Sequence, residues 1–297
     1  MSRHHAPASY RYIQRGLILK GYACHYEEVY DHHADYAELG NLKMSEVSFR
    51  IAHISDTHIS PHGNFVEEAF DSAVSDINRL EPQPNLVIHS GDLTDNGVLA
   101  DYQLAVKKLQ ALKPKVLVAP GNHDEYNFGH SLFKEMIGPV DNEFKQSNIA
   151  IYITDSPQPD RDEGRLGRRR QAYLEEQLGQ LDKHTLRVLV FHHHLVSIPF
   201  SGRDQDVLED AGDILDMVLK YKVNLVLMGH RHVRRVLQVN DSVLVNTGTV
   251  SSIRTRGRLG HSYNVIDFLT DGAIQVTERN ITNKNSSPLG IFKSRNS

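Results

Sequence analysis

Two rhythms of apolar residues alternate along the middle of this chain. Phe49 to Ile54 is a short run that ends in Ser55-Asp56, the length and boundary of a strand. Phe65 to Leu80 instead spaces Phe65, Ala69, Phe70, Ala73, Val74, Ile77 and Leu80 as one helix face, and Glu81-Pro82-Gln83-Pro84 stops it. The alternation continues with a strand at Leu86 to His89, a helix at Leu99 to Leu112, and a strand at Lys115 to Ala119 closed by Pro120-Gly121. Arg169 to Leu181 reads as a helix and Arg187 to Phe191 as a strand. Val207 to Tyr221 reads as a helix with Leu208, Ala211, Leu215, Val218 and Leu219 as its stripe, and Val223 to Met228 as a strand.

Beyond Gly229 the helical period disappears. Arg235 to Val239, Ser242 to Val245, Tyr263 to Phe268 and Ala273 to Glu278 read as short strands, with Asn240-Asp241 and Asp271-Gly272 supplying turns. A strand–helix half followed by a strand-rich half predicts an α/β protein in which two sheets pack together with helices outside. The ends differ from this core. Residues 1–47 carry His4, His5, His25, His32 and His33 without a sustained period, and read as a poorly packed or tag-like extension, with metal binding by these histidines the alternative. Residues 283–297 are polar and aperiodic and read as a loose tail, leaving 48–282 as the expected domain.

Composition narrows the functional classes. A net charge of −4 gives no global basic footprint, so nucleic acid is not the expected partner. Cys24 is the sole cysteine, which excludes an internal disulfide and a thiolate metal cluster. No apolar run approaches the roughly 20 residues of a bilayer span. The segment from Met1 to Tyr12 also lacks the apolar core of a signal peptide. The expectation is a cytoplasmic protein without a membrane partner.

The chemistry sits where the strands stop. Asp56-x-His58, Gly91-Asp92, Gly121-Asn122-His123-Asp124, His192-His193-His194 and Gly229-His230-x-His232 each follow an apolar run. In open α/β sheets functional groups collect beyond the carboxyl ends of strands. Each piece alone has a plain structural reading, as a turn or capping residue. Five strand ends carrying Asp, Asp, Asn, His and His together point to a metal site. Carboxylate, imidazole and amide donors without thiolate suit Mn, Fe or Zn. Two such ions about 3.5–4 Å apart can clamp a phosphoryl group.

This ordered set, D-x-H, G-D, G-N-H-D, H and G-H-x-H over about residues 48–280, resembles the calcineurin-like metallophosphoesterase superfamily. The resemblance implies a four-layer αββα sandwich of two mixed sheets flanked by helices, with a dinuclear centre. Asp56, His58, Asp92 and His232 would hold one metal. Asp92, Asn122, His192 and His230 would hold the other, so that Asp92 bridges. Within the histidine triplet His192 is favoured as the first residue beyond Phe191, with His193 the alternative. His123 would lie beside the scissile phosphate, as a charge stabiliser, a general acid, or an orienting group. Asp124 would orient His123 or cap the next segment. The implied reaction is in-line attack of metal-activated hydroxide on phosphorus, without a phosphoenzyme.

Spacing is most similar to the bacterial cyclic-nucleotide and glycerophosphodiester phosphodiesterases. Leu93-Thr94-Asp95-Asn96 follows Asp92 without the Arg that the protein-phosphatase subgroup carries there. A small-molecule phosphodiester is therefore the expected substrate, with 3′,5′-cyclic AMP the leading candidate. A phosphomonoesterase or nucleotide pyrophosphatase on the same scaffold is the alternative. A non-enzymatic scaffold would be expected to lack ligands, and none is missing. His53 and His89, inside strands, read as satisfied core residues. Arg161, Arg165, Arg168, Arg169 and Arg170 read as a solvated loop and helix start, or alternatively as an anion-gathering rim.

Overall fold

Most of the strands are apolar on both faces, and this decides the architecture. In a computed structural model, which describes residues 45–199, 201, 207–256 and 259–293, strand β1 (Val47–Ile54) sends Phe49 and Ile51 to one core and Ala52 and Ile54 to another. The same split recurs in β2 (Leu86–His89), where Leu86 and Ile88 oppose Val87, and in β3 (Lys115–Val118). A strand covered on both sides loses the apolar–polar alternation and reads as a continuous apolar run.

Between these strands lie helix α1 (Glu67–Ile77) and helix α2 (Leu99–Leu109). Helix α1 buries Ala69, Phe70, Ala73, Val74 and Ile77, and places Glu67 and Glu68 in its first turn, where negative charge favours the dipole. The predicted start at Phe65 lies two residues early, because Phe65 instead bridges Ser252. After β3, Asn122–Phe128 forms tight 3-10 turns, interrupted at Tyr126 and Asn127, and leads into helix α3 (Gly129–Met136). The next elements are β4 (Asn142–Gln146), β5 (Ile149–Ile153), helix α4 (Gly167–Gln180) and β6 (Leu186–Val190). Helix α5 (Ala211–Lys220), β7 (Leu225–Met228), β8 (Arg235–Val239), β9 (Ser242–Asn246), β10 (Ser262–Leu269), β11 (Ile274–Asn280) and β12 (Asn285–Phe292) complete the order.

Among the described residues the strands form two six-stranded mixed sheets, ordered β12-β11-β10-β1-β2-β3 and β4-β5-β6-β7-β9-β8. In the first, β1, β2 and β3 run parallel while β10 pairs antiparallel with β1. In the second, β5, β6, β7 and β9 are parallel, with antiparallel β4 and β8 at the edges. One core joins the sheets face to face through residues such as Ile51, Ile88, Ile151, Val188, Leu227, Val245 and Ile266. A second core packs α1, α2 and α3 on the first sheet, and a third packs α4 and α5 on the other. This is the expected αββα sandwich. Among the described residues no helix is long and apolar enough to cross a membrane.

Of the tail expected at 283–297, the described residues 283–293 are not loose: Asn285–Phe292 is an edge strand, registered from Asn280↔Asn285 to Ile274↔Phe292, and 294–297 lie outside the described residues. Main-chain hydrogen bonds build it, Pro288 is tolerated at an edge, and Leu289 and Phe292 pack on the inter-sheet core, so side-chain pattern carried little trace of it. The chain divides into Met1–Ser45 and Glu46–Ser297. The predicted extension lies outside the described residues up to residue 44, and its final residue already begins β1.

The inter-sheet core carries a direct test. Ile151→Ala removes a fully buried side chain and should cost about 2–5 kcal/mol of unfolding free energy in a denaturant titration. Ile253→Ala, at a side chain 61% exposed, should stay within about 0.5 kcal/mol of wild type.

Candidate metal centre

The two sheets present the carboxyl ends of β1, β2, β3, β6 and β7 to one edge of the sandwich, and the loops there are stitched together by main chain. The amide of Asp56 donates to Gly91 O at 2.9 Å, His58 to Asp92 O at 3.0 Å and Ile59 to Leu93 O at 2.8 Å. Asp56, His58, Asp92, His230 and His232 all have positive φ, between 48° and 75°. Non-glycine residues seldom adopt that region, and when they do it is often where a site demands it. Gly91 has φ +102°, and a Cβ there would lie 2.5 Å from His192 Nδ1. A Cβ at Gly121 would collide with the Asp92 backbone. Neither position can carry a side chain without moving a candidate ligand.

These loops bring the predicted residues into two touching clusters. In the first, His58 Nε2 and His232 Nε2 are 3.1 Å apart, His232 Nε2 is 3.3 Å from Asp56 Oδ1, and His58 Nε2 is 3.6 Å from Asp92 Oδ2. In the second, His192 Nε2 lies 3.3 Å from the same Asp92 Oδ2 and 3.2 Å from His230 Nδ1, which is 3.0 Å from Asn122 Oδ1. Asp92 belongs to both groups of side chains able to hold an ion. Asp56, His58, Asp92, Asn122, His192 and His232 are all at most 6% exposed.

The outer nitrogens decide how the inner ones point. His58 Nδ1 faces Asp95 Oδ1 at 3.1 Å, His192 Nδ1 faces Ser90 O at 2.8 Å, and His232 Nδ1 faces Arg254 O at 2.7 Å. Each outer partner is an acceptor, so the ring proton sits on Nδ1 and the Nε2 lone pair turns inward. Three lone pairs and two carboxylates then converge in a buried space, where the carboxylates receive only the main-chain amides of His230 and His123. That arrangement is repulsive by itself and fits cations at its centre. His230 Nε2 is also buried without a hydrogen-bond partner. Burial pushes the His192 pKa down, yet the Asp92 carboxylate outweighs it and raises it to about 9. Burial likewise works against Asp92, but the His192 and His123 charges hold it well below the carboxylate range. Both shifts report a demand for positive charge beside Asp92.

The histidine triplet separates by its neighbours. His193 uses both ring nitrogens elsewhere, Nδ1 with Ser156 Oγ at 2.9 Å and Nε2 with Asp162 O at 3.0 Å. Only His192 reaches Asp92. His123 sits at the rim, with its backbone N–H on Asp92 Oδ1 at 2.9 Å, Nδ1 on Asp95 O at 2.6 Å and its ring 4.5 Å from that of His58. Asp124 does not touch the His123 ring. Its carboxylate accepts from the amides of Leu93, Thr94 and Gly121 and from Thr94 Oγ1, at 2.7–3.0 Å, and so ties the loop after β2 to the loop after β3. His53 and His89 are core residues bonded to Ser90 Oγ and Thr57 Oγ1. Three of the five arginines of the basic run pair with acids: Arg170 with Asp141 and Asp155, Arg168 with Asp213, Arg161 with Glu163.

Sequence reasoning missed Asp95. It receives His58 Nδ1 and the Asn64 side chain, and burial, which raises its pKa, is outweighed by those partners, leaving it at about 2. The signal was its place three residues beyond Asp92 in the same loop. The supporting carbonyls of Ser90 and Arg254 carried no side-chain signal at all.

A strand-edge cradle of this kind, shared by two sheets, defines a metallohydrolase. The chain belongs to the calcineurin-like phosphoesterase family, whose model matches residues 49–234. It is 32% identical to the probable glycerophosphodiester phosphodiesterase GpdQ of Arcobacter nitrofigilis, over 61% of this chain and 71% of that one. It is 27% identical to the 3′,5′-cyclic adenosine monophosphate phosphodiesterase CpdA of Escherichia coli K12, over 68% of this chain and 76% of that one. Among solved structures, a purple acid phosphatase from yellow lupin aligns with TM-score 0.67 at 14% identity, covering 85% of this chain and 55% of its own. A dimetal phosphatase from Danio rerio aligns with TM-score 0.66 at 12% identity, over 82% of this chain and all of its own. These two share the fold.

Bound metal provides the check on the geometry. His192→Ala should lower metal content per chain, measured by elemental analysis after dialysis, whereas His193→Ala should leave it near wild type. Asp95→Asn should weaken metal affinity by about 10- to 100-fold, because His58 loses the carboxylate that orients it.

Proposed function

We propose that this enzyme hydrolyses small-molecule phosphodiesters, with 3′,5′-cyclic AMP the leading candidate, at a pair of metal ions. The observation that carries the reading is the single Asp92 carboxylate held between two clusters of buried, inward-turned donors. Asp56, His58, Asp92 and His232 would hold one ion, and Asp92, Asn122, His192 and His230 the other. The donor set suits Mn, Fe or Zn. Bound there, the ions supply Lewis-acid charge for the phosphoryl group and bring a nucleophile into play near neutral pH. The diester preference is supported by the names of the bacterial relatives and by the absence of an Arg in Leu93-Thr94-Asp95-Asn96. A protein without a membrane-length helix among its described residues suits a cytoplasmic substrate.

The chain's own contribution to the chemistry falls to His123. Its Nδ1 is committed to the Asp95 carbonyl, so Nε2 is the atom left to meet substrate. From the rim it can hydrogen-bond a phosphoryl oxygen as charge develops, or hand a proton to the departing alkoxide. Asp124 works at one remove, by locking together the loops that carry Asp92 and Asn122.

A substrate panel on Mn²⁺-loaded protein tests the reading. Turnover of bis(p-nitrophenyl) phosphate and cyclic AMP should exceed that of p-nitrophenyl phosphate; the reverse order would point to a phosphomonoesterase. Asp92→Asn should abolish turnover, and full activity with metal bound would sink the scheme. His123→Ala should lower kcat by about 10²- to 10⁴-fold. The loss should be larger for cyclic AMP, whose alkoxide needs a proton, than for bis(p-nitrophenyl) phosphate, whose phenolate leaves unaided. Equal losses would assign His123 to charge stabilisation alone.

A further inference from the structure

A second group of potential ligands lies away from the Asp92 clusters and plays no part in the reaction described. Glu125, His130 and Asp155 each offer one donor atom, and these atoms lie within 4.8 Å of one another. Together with Arg165, Leu166 and Arg170 they line a cleft of about 370 Å³. Glu125 is 1% exposed and Asp155 is 3% exposed. Each carboxylate has one oxygen accounted for: Glu125 Oε1 meets His130 Nδ1 at 2.6 Å, and Asp155 Oδ2 meets Arg170 Nη2 at 2.5 Å. The other oxygens, Glu125 Oε2 and Asp155 Oδ1, are buried and have no hydrogen-bond partner.

Two buried carboxylates side by side, each with an unused oxygen, are unfavourable without a positive partner. Arg170 does not provide enough, because it also engages Asp141, at 2.9 Å. We propose that Glu125, His130 and Asp155 form a further divalent-cation site, separate from the pair of ions at Asp92. Two carboxylate oxygens and one imidazole nitrogen, with no thiolate, suit Mn²⁺ or Zn²⁺, and the cleft leaves room for water to complete the shell. The raised pKa values of Glu125 and Asp155, both pushed to about 7 by burial, with the Asp124 charge adding to it at Glu125 and the Glu125 charge at Asp155, are the response expected of buried carboxylates short of positive partners.

The position gives the ion a task. Glu125 lies three residues beyond Asn122 in the same 3-10 segment, and His130 lies in the first turn of the following helix α3. Asp155 follows β5 in the other sheet. An ion here fastens the segment that carries Asn122 and His123 to the opposite half of the sandwich, where the polypeptide otherwise relies on isolated hydrogen bonds such as Asn127 N to Asp160 Oδ1.

The test is a difference in bound metal on the full chain, with Mn²⁺ and Zn²⁺ as separate probes. Wild type should bind one ion more per chain than Glu125→Gln or His130→Ala, by equilibrium dialysis and elemental analysis. Truncating the partly exposed His130 also removes its hydrogen bond to Glu125 Oε1, so each variant is compared with its own metal-free melt. Any ions held by the N-terminal histidines cancel in the difference. The same one-ion difference should persist between Asp92→Asn and Asp92→Asn/His130→Ala, which separates this site from the proposed catalytic pair. Added Mn²⁺ or Zn²⁺ should also raise the melting temperature of Asp92→Asn more than that of the double variant. If neither metal shows a one-ion difference in either background, the two carboxyls share a proton instead and the site is overturned.

Discussion

The Asp92 carboxylate is the constraint around which the rest of this molecule is arranged. It is buried, it faces imidazole nitrogens from both sheets, and its other oxygen receives the His123 amide. Holding a charge in that place requires donors and cations to be aimed at it from several directions, since an unpaired buried charge is strongly unfavourable. The positive-φ loops, the glycine at 91, and the Asp124 carboxylate that binds three amides at once are all local consequences of that demand.

Rigid strands make the arrangement affordable. The two sheets are covered on both faces, so the strand ends are fixed by three cores and not by the loops themselves. Loops of a few residues can then hold strained dihedrals without drifting, and the site's precision derives from packing remote from it. Carbonyls of the main chain contribute as much as side chains: Ser90 and Arg254 orient His192 and His232 through their oxygens alone. Substituting either side chain would leave those contacts in place, whereas shifting the loop would not.

How far the chain could be read in advance follows from the same physics. Double-faced burial writes β1, β2, β6 and β7 into the sequence as apolar runs ending in polar ligands, so the strands and the candidate ligands emerged together. The region of β4 and β5 is not legible in the same way: Ile149–Ile153 is an apolar run of the same kind, fully buried, but its neighbour Asn142–Gln146 is a polar edge strand with only Phe144 packed on the core. Strand β12 was misread as a tail because an edge strand can be built by backbone hydrogen bonds with few apolar side chains.

By itself, then, the sequence determined the α/β layering and the identities of the residues gathered at the strand ends, because burial periodicity and donor chemistry are properties of residue type and order. Three matters were decided only by the tertiary structure. His192 was separated from His193 by what their ring nitrogens meet, Ser90 O and Asp92 for one, Ser156 and Asp162 for the other. Asp95 came to orient His58 by lying under it, and of the two roles open to Asp124 the structure shows the cap, its carboxylate turned to the amides of Gly121, Leu93 and Thr94 and away from the His123 ring. Glu125 and Asp155, 30 residues apart in sequence, became a pair only because the two halves of the sandwich meet there. Each depends on direction and distance between distant segments, which residue order does not contain.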